Sequence, residues 1–418
     1  MKTNSRIPAL IVVTILVGIS SGIGGMLLAL LLRSIQHLAY GYSPWQVISN
    51  ETFLEGVLAS SPQRRVFILT LCGIIAGGGW WLLYRYGKPL VSIGDAIKNK
   101  QSMPRWTTII HALLQIITIA LGSPLGRETA PREISAVFAE QLSAKAGLSI
   151  KETKIMLACG AGAGFAAVYN VPLAGALFVL EVLLCTLNWS VLIPAFATST
   201  IAVVVSWIGL GNNPQYFLTT YTVSHTLTIW SILSGPVFGL AAYWFIRIAN
   251  VFRHQAPKGE WSLPLLCLLN FIAIGFLAVY FPAILGNGKS PVQLEFDDAI
   301  GIGLSCTLLI LRVLITWSSL RAGSHGGLLT PSLANGALLG VVLGGLWSLL
   351  WPGSSMNAFA IVGATAFLAA AQKMPLTAIV LIFEFTHMKL SFLVPLLFAV
   401  AGAMAVFHLC SNRTIKTL

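Results

Sequence analysis

The sequence predicts an all-α polytopic membrane protein that consists of two inverted repeats of tilted and broken helices. The first observation is composition, because 56% of the 418 residues are hydrophobic and only 9% are charged, whereas soluble domains carry about a quarter charged residues. The second observation is a pair of glycine- and proline-containing breaks within apolar sequence. The third is an internal repeat that relates the two halves of the chain.

The distribution of charge indicates which partner the basic residues have. The 25 Lys and Arg residues outnumber the 13 Asp and Glu residues, for a formal net charge of +12. They are scattered over the termini and the predicted loops, whereas nucleic-acid binding would gather them on one face. We therefore expect contact with membrane lipid and none with nucleic acid. Both termini are basic, which favours a cytoplasmic position for both, so repeats with odd numbers of crossings would be inverted relative to each other.

Apolar segments run along most of the chain, and several are shorter than the ~20 residues that a complete crossing needs. We therefore expect half-helices and tilted helices as well as complete crossings. The first segment is too long for the core of a signal peptide and is predicted to be a retained helix. In order, the segments are residues 7–34, 64–86, 107–122, 126–141, 155–169, 172–187, 190–210, 228–252, 261–282, 297–320, 327–351, 356–372, 375–387 and 391–410.

The two breaks are residues 122–131, GSPLGRETAP, and residues 323–331, GSHGGLLTP. Each contains a Gly-x-x-x-x-Pro unit that ends one helix and starts the next, because proline is tolerated in a first turn where its missing N–H is not needed. A helix that starts inside a membrane directs unpaired N–H groups and the positive end of its dipole forward, and an anion suits both. Two such restarts in corresponding halves predict an anion site near the bilayer midplane.

The internal repeat aligns residues 160–181 with residues 363–384. In each copy a proline follows the first glycine by twelve residues, and a glutamate follows that proline by nine residues. The two glutamates are Glu181 and Glu384. Because they recur at equivalent positions, we expect a structural role in which each hydrogen-bonds to the end of a broken helix.

The repeat divides the chain into three parts. We expect a first membrane repeat at residues 1–210, a polar connection at residues 211–226 and a second membrane repeat at residues 227–418.

Glu128 follows Arg127 at the first break and is the strongest candidate for chemistry. Burial favours its protonated form and the helix N-terminus favours its ionised form, so the side chain is suited to exchange a proton in a physiological range. When ionised, its carboxylate would occupy the position of an anion in front of the backbone donors, and when protonated it would swing away. The alternative is a first-turn glutamate that complements the helix dipole and pairs with Arg127.

Four groups of motifs in the chain carry a family resemblance. They are GRE at residues 126–128 with Pro131, YNVPLAGALFVLE at residues 169–181, GNG at residues 286–288 with PVQ at residues 291–293, and GLLTP at residues 327–331. These motifs resemble those of the CLC family of chloride channels and chloride/proton antiporters. The resemblance covers nearly the whole chain and has the form of a short prokaryotic member without CBS domains. It implies a homodimer in which each subunit has its own anion pathway, in a bacterial-type plasma (inner) membrane.

The resemblance also assigns roles by position. Glu128 would be the external gating glutamate and the proton acceptor. The backbone N–H groups of Leu328 and Leu329 would bind a central anion, and those from Arg127 to Thr129 an outer one. Ser92 would replace a serine whose hydroxyl contacts the anion in the family.

The chain departs from the family pattern at four places. Thr129 follows the gate, so that the proline comes one position late, and residues 88–95 replace the usual serine loop. Val182 takes the position of the proton-pathway glutamate of many antiporters. No tyrosine stands near residues 414–416, where the family closes the central site, and Lys416 there would attract anions electrostatically. These departures leave the anion selectivity and the proton coupling open.

Three further residues near the breaks carry charge or titrate. Arg132 and Glu133 are neighbours within a helix and point to different sides, so each is expected to have another partner. We favour structural pairing for them over a second proton relay. His325 is expected to have a backbone partner, with tuning of the pathway by pH as the alternative.

The sequence therefore predicts CLC-type transport of chloride or a similar small anion by proton-coupled antiport gated by Glu128. The alternatives are an uncoupled anion channel and a fluoride/proton antiporter of the same family. We do not expect an enzyme, because the sequence contains no His-Glu-x-x-His, Gly-x-Ser-x-Gly or Walker motif. The six cysteines stand singly in apolar stretches, so we expect packing thiols, no metal site and no cofactor.

Overall fold

The computed structural model describes residues 6–43, 51–99, 101–219 and 221–415. Within these residues the chain forms 17 α-helices and no β-strand, which confirms the all-α prediction. In chain order the helices are α1 (Arg6–Tyr40), α2 (Phe53–Ala59), α3 (Pro62–Tyr86), α4 (Ile93–Asn99), α5 (Arg105–Ala120), α6 (Thr129–Lys145), α7 (Ile150–Tyr169), α8 (Pro172–Phe178), α9 (Trp189–Leu210), α10 (His225–His254), α11 (Ser262–Tyr280), α12 (Lys289–Phe296), α13 (Ile302–Ala322), α14 (Leu329–Ser348), α15 (Met356–Gln372), α16 (Pro375–Thr386) and α17 (Leu393–Ile415).

The apolar helices differ in length. Among the described residues, eight helical segments are long and apolar enough to cross a membrane, namely α1, α3, α9, α10, α11, α13, α14 and α17 together with the turn before it. Helices α5, α15 and α16, and α8 with the π-helical turn that follows it, are apolar but only 10–17 residues long. The expectation of short apolar helices beside long ones is therefore confirmed. The chain is a multi-pass membrane protein.

The two copies of the repeat have the same local backbone conformation. The residue after α7, Asn170, has the left-handed conformation with φ 58°, and so has the residue after α15, Lys373, with φ 55°. The next residues, Val171 and Met374, have φ and ψ of −133° and 70°, and of −136° and 64°. A proline then starts α8 or α16 at its first position, where no backbone N–H is needed.

Small residues let the helices of each repeat approach closely. Gly164 of α7 lies against the carbonyl oxygen of Pro131 in α6, and Gly336 of α14 lies against the carbonyl oxygen of Gly363 in α15. At either glycine a Cβ atom would collide with backbone, which would have to move. This is the packing that membrane helices use where lipid supplies no hydrophobic driving force. It fixes α6 and α14, the two helices that start at the breaks.

Helix α9 ends at Leu210 and α10 begins at His225, so the predicted polar connection falls between helices except for its last two residues, which belong to α10. Its boundaries at residues 211–226, and the division into repeats at residues 1–210 and 227–418, stay predictions.

Candidate functional site

The two breaks meet at the start of α6 and α14. Gly126 and Gly327 pair as an isolated antiparallel bridge, in which each N–H donates to the other carbonyl at 2.7 and 2.8 Å. The two glycines leave room for the Glu128 carboxylate, because a Cβ atom at either position would collide with it in its present position. The bridge brings the N-termini of the two restarted helices to one place. That an anion binds there stays a prediction.

Glu128 lies between these two helix starts. Its side chain is only 1% exposed. One carboxylate oxygen accepts the backbone N–H of Leu329 at 2.7 Å. The other oxygen is 3.4 Å from the hydroxyl of Tyr169 and 3.5 Å from that of Thr330, and these two hydroxyls are 3.0 Å apart. A carboxylate from the first repeat therefore occupies the N-terminus of a helix in the second repeat.

Most of the other predicted anion ligands lie at the two helix starts, but Ser92 does not. Thr129 is the first residue of α6, Leu328 is the buried residue before α14, and Leu329 is its first residue, so all three belong to the helix starts. Ser92 is exposed at the start of α4. Its hydroxyl donates to the carboxylate of Asp95 at 2.6 Å and accepts the Asp95 backbone N–H at 3.1 Å. No described contact joins Ser92 to Glu128.

Positive charge gathers beside the first break. The Arg127 guanidinium lies 5.0 Å from the centre of the Tyr169 ring and donates to the side-chain oxygen of Gln215 at 3.4 Å. Arg33 and Lys289 both interact electrostatically with Arg127. Such a group of cations raises the local concentration of anions. Arg33 and Lys289 were not predicted, because they are 94 and 162 residues away from Arg127 in sequence (127 − 33 and 289 − 127).

Arg312 holds the loops around the site. It is completely buried, and its guanidinium donates to the carbonyl oxygens of Ile284 at 2.8 Å, Gly286 at 3.1 Å and Pro124 at 3.3 Å. The N–H of Gly286 donates to the carbonyl of Gly122 at 3.0 Å. A guanidinium thus ties the GNG motif to the first break. The signal available in the sequence was an arginine inside an apolar helix, which is costly unless it has partners.

The carboxylate of each repeated glutamate hydrogen-bonds to the start of a helix in the other repeat. Glu384 accepts two backbone N–H groups at the start of α8, and Glu181 accepts two at the start of α16 and the Thr377 hydroxyl. The donors are Leu173 and Ala174 for Glu384, at 2.9 and 2.8 Å, and Leu376 and Thr377 for Glu181, at 2.9 and 2.7 Å. The predicted structural role at broken-helix ends is confirmed.

Glu133 and Arg132 have separate partners, as expected. Glu133 accepts a hydrogen bond from the side-chain amide of Gln115 at 3.0 Å, and its other oxygen lies 3.9 Å from Nε2 of His111. The Arg132 guanidinium lies 4.3 Å from the centre of the Phe178 ring.

His325 differs from the expectation. Its Nε2 is 2.6 Å from the hydroxyl of Tyr84, and its ring lies 5.0 Å from that of His111 and 5.2 Å from that of Trp80. The predicted backbone partner is therefore wrong, because α3 and α5 place aromatic side chains against the second break. His325 and Tyr84 are 241 residues apart in sequence, so the sequence around His325 gives no indication of this contact.

Two further departures from the family pattern concern Val182 and Lys416. Val182 is half-buried in the π-helical turn Val179–Leu183, beside Glu181. Lys416 lies outside the described residues.

Comparisons with known proteins agree with this architecture. A family model described as voltage gated chloride channel matches residues 69–408. A voltage-gated ClC-type chloride channel ClcB of Citrobacter koseri is 26% identical over 376 residues, which cover 87% of this chain and 89% of the relative. The protein of the same name from Salmonella typhimurium is 27% identical over 373 residues, with the same coverage.

Solved structures share the fold. The crystal structure of a slow cyanobacterial Cl⁻/H⁺ antiporter matches with a TM-score of 0.78 at 20% sequence identity and covers 98% of both chains. That of a CLC-type fluoride/proton antiporter matches with a TM-score of 0.68 at 19% identity, covering 97% of this chain and 98% of the other. At these identities the likeness is one of fold.

Proposed function

The chain belongs to the voltage gated chloride channel family, and from this premise we propose that it exchanges chloride or a similar small anion for protons, with Glu128 as gate and proton acceptor. The observation that carries the proposal is the position of the Glu128 carboxylate on the Leu329 N–H. An anion that approached the start of α14 would need the same donor.

The proposed gating step is a competition for that donor. The ionised carboxylate of Glu128 takes the N–H of Leu329 and excludes the anion. When a proton binds, the carboxyl group loses the charge that holds it at the positive end of α14. The side chain then leaves, and the anion accepts the hydrogen bond. One proton is bound each time the site opens, which couples the two movements.

The backbone N–H groups of Leu328 and Leu329 are the proposed central ligands, and those from Arg127 to Thr129 the outer ones. The cations beside Arg127 support an anion as the substrate. Ser92 is the least supported ligand, because its hydroxyl already bonds to Asp95.

The experiment that tests this proposal uses purified protein in liposomes. A chloride gradient is imposed, the voltage is held near zero, and external pH reports proton movement. In wild-type protein the chloride gradient should drive protons uphill. Glu128→Gln should carry chloride without protons, with proton movement reduced by about 100-fold or more, and its chloride flux should no longer rise as the pH falls.

Glu140→Gln serves as the matched control. It makes the same chemical change on the same helix, where Glu140 accepts the backbone N–H of Met103 at 3.1 Å. The control should behave as wild type. Chloride flux without proton movement in wild-type protein would reject the exchange mechanism in favour of an uncoupled channel. The absence of any anion flux would reject transport itself.

Fluoride is the second candidate substrate. The Thr129 departure after the gate favours it, and a fluoride/proton antiporter is among the proteins that share the fold. The same liposomes with a fluoride gradient decide between the anions, because proton movement should be larger with the physiological substrate.

We also propose that the protein is a homodimer in a bacterial inner membrane, as the family resemblance implies. Light scattering of the purified protein in detergent should give twice the 44.7 kDa mass of the chain, and a monomer would reject the proposal.

A further inference from the structure

The segment between the two repeats places a tyrosine beside the gate. Tyr216 lies in the connection between α9 and α10, and its side chain is only 3% exposed. Its backbone N–H donates to the carbonyl oxygen of Phe385 in α16 at 3.0 Å. The side-chain amide of Gln293 in α12 accepts the N–H of Phe217 at 3.1 Å and donates to the carbonyl of Phe217 at 2.8 Å. Two helices of the second repeat therefore fix the position of Tyr216.

The ring of Tyr216 belongs to the same aromatic group as that of Tyr169, whose hydroxyl is 3.4 Å from the Glu128 carboxylate. Both tyrosine rings lie against the ring of Phe385, with centres 5.6 Å away for Tyr216 and 5.5 Å away for Tyr169. The Tyr216 hydroxyl is directed toward the gate, since it interacts electrostatically with residues of the site. These residues are Tyr169, Arg127, Arg312 and Glu128.

The hydroxyl of Tyr216 is not committed to a partner in the protein. It makes no hydrogen bond with another described residue, although it is not among the fully enclosed polar atoms. Two other tyrosine hydroxyls are committed. That of Tyr169 is 3.0 Å from the Thr330 hydroxyl, and that of Tyr221 accepts the backbone N–H of Lys389 at 3.1 Å. A free donor on a side chain that is otherwise fixed can bind a small ligand that enters the site.

Positive charge without a counter-ion lies around this hydroxyl. The Arg127 guanidinium donates at 3.4 Å to the side chain of Gln215, the residue before Tyr216. The Lys289 ammonium lies 6.0 Å from the centre of the Tyr216 ring. Neither cation forms an ion pair with an acid in the described part of the chain. A hydroxyl donor beside two unpaired cations suits an anion.

The charge of the loops indicates on which side of the membrane this position lies. Residues 211–226 contain no Lys or Arg, whereas Arg253 stands at the end of α10 and Lys258 in the loop that follows. Because α10 has 30 residues, it is about 45 Å long, and its two ends lie on opposite sides of a hydrocarbon core of about 30 Å. Basic loops stay in the cytoplasm. Tyr216 therefore belongs to the outer mouth of the pathway.

We propose that the Tyr216 hydroxyl and the Arg127 guanidinium bind a small halide-like anion at the outer mouth, before it replaces Glu128 at the Leu329 N–H. This inference rests on the proposed function and adds a side-chain ligand from the connection to the outer anion site. The hydroxyl donates one hydrogen bond, and the guanidinium compensates the charge. Because the connection is already fixed to α12 and α16, the donor is in place before the anion arrives.

The first test uses liposomes in which the protein has one orientation, with chloride varied on the outer side. Tyr216→Phe keeps the ring and its packing and removes the hydroxyl. The chloride concentration that gives half-maximal flux should rise by about fivefold or more, because a hydrogen bond to a charged ligand is lost. Flux at saturating chloride and the number of chloride ions per proton should stay within about twofold of wild type, because Glu128 and Leu329 are untouched.

Tyr221→Phe is the matched control. It removes a hydroxyl from the same connection, one that already accepts the Lys389 N–H, and its ring lies 5.0 Å from that of Phe392. This variant should keep the half-saturating chloride concentration of wild type. An equal rise in both variants would assign the effect to the stability of the connection and would overturn the inference.

The second test measures binding without transport and so separates this inference from the proposed function. Chloride is titrated into the purified protein in detergent in a calorimeter. Tyr216→Phe should weaken chloride binding by about fivefold or more relative to wild type and to Tyr221→Phe. Binding that depends on Tyr216 in this way, in a wild-type protein that moves no protons, would reject the exchange mechanism and retain the outer site.

Two results would overturn the inference and leave the exchange mechanism intact. One is coupled transport in which Tyr216→Phe has the half-saturating concentration and the chloride affinity of wild type. The other is an unchanged chloride affinity with an altered pH dependence of flux. That result would mean that the hydroxyl receives the displaced side chain of Glu128 instead of the anion.

Discussion

Two regions of the molecule use carboxylates at helix N-termini in different ways. At α8 and α16 the exchange is reciprocal, since Glu384 and Glu181 each accept two backbone N–H groups at 2.7–2.9 Å. At α6 and α14 it is one-sided, because the residue of the second repeat that corresponds to Glu128, 200 positions later, is Leu328. The symmetric pair fastens the repeats together, and the unsymmetric position is where we propose that an anion binds.

The hydrogen bonds to Glu128 are also weaker than those to Glu181 and Glu384. From the other helix start, Glu128 accepts one backbone N–H at 2.7 Å, and its further hydrogen-bond partners outside its own backbone are hydroxyls at 3.4 and 3.5 Å. One short bond and two long contacts suit a side chain that must leave, whereas two short charge-assisted bonds suit one that must stay.

Restoring the symmetry at the breaks should have the largest effect. In Leu328→Glu a second carboxylate would face the start of α6, so both helix N-termini would be covered at neutral pH. We expect chloride flux in liposomes to fall by about tenfold or more and to recover partly at acid pH, as protonation removes the charge.

Leu328→Gln is its control, because it has nearly the same shape without the charge. Equal loss of flux in both variants would attribute the effect to size and would contradict the electrostatic explanation.

Breaking the symmetric pair should affect stability and leave proton coupling intact. Glu384→Gln removes charge-assisted bonds to Leu173 and Ala174, so the free energy of unfolding should fall by about 1–3 kcal/mol. Denaturation in detergent measures this change.

The same substitution at Glu128 should change the unfolding free energy by less than about 1 kcal/mol. If Glu128→Gln proved the more destabilising of the two, the distinction between fastening and gating carboxylates would fail.

Tyr169→Phe should produce the smallest effect. It removes one long contact to Glu128, so the carboxylate competes slightly less well and chloride flux should rise by about twofold. Tyr243→Phe is a control at another buried tyrosine, whose hydroxyl accepts a hydrogen bond from Arg247 at 2.9 Å. A fall in flux for Tyr169→Phe alone would mean that the hydroxyl binds the anion instead of the gate.

Much of this architecture could be predicted because its signals are local. A left-handed residue followed two positions later by proline sets the restart of α8 and of α16, and both patterns are visible in the repeat. The predicted segments at residues 64–86 and 356–372 match α3 and α15 closely. The short helices α2, α4 and α12 were not predicted, since seven or eight residues carry little periodic signal.

The site could be predicted only in part, for the same reason. The start of α6 identified Glu128 as the candidate, because charge, glycine and proline occur together there. Its contacts with Tyr169 and Thr330 join residues 41 and 202 positions away. The neighbours of His325 were missed because packing between helices, and not the loop sequence, determines them.

The hydrogen bonds that Glu181 and Glu384 make to the opposite repeat determine when the two halves can join during synthesis. Glu181 and the backbone of α16 that it caps are 195 residues apart, and the ribosome takes roughly 10–40 s to make that length at ~5–20 residues per second. Over that interval the first half waits in the bilayer with an acid that lacks its donors and with α8 lacking its acceptor. Completion of the second half supplies both at once, so the nascent halves interlock only when nearly the whole chain has been synthesised.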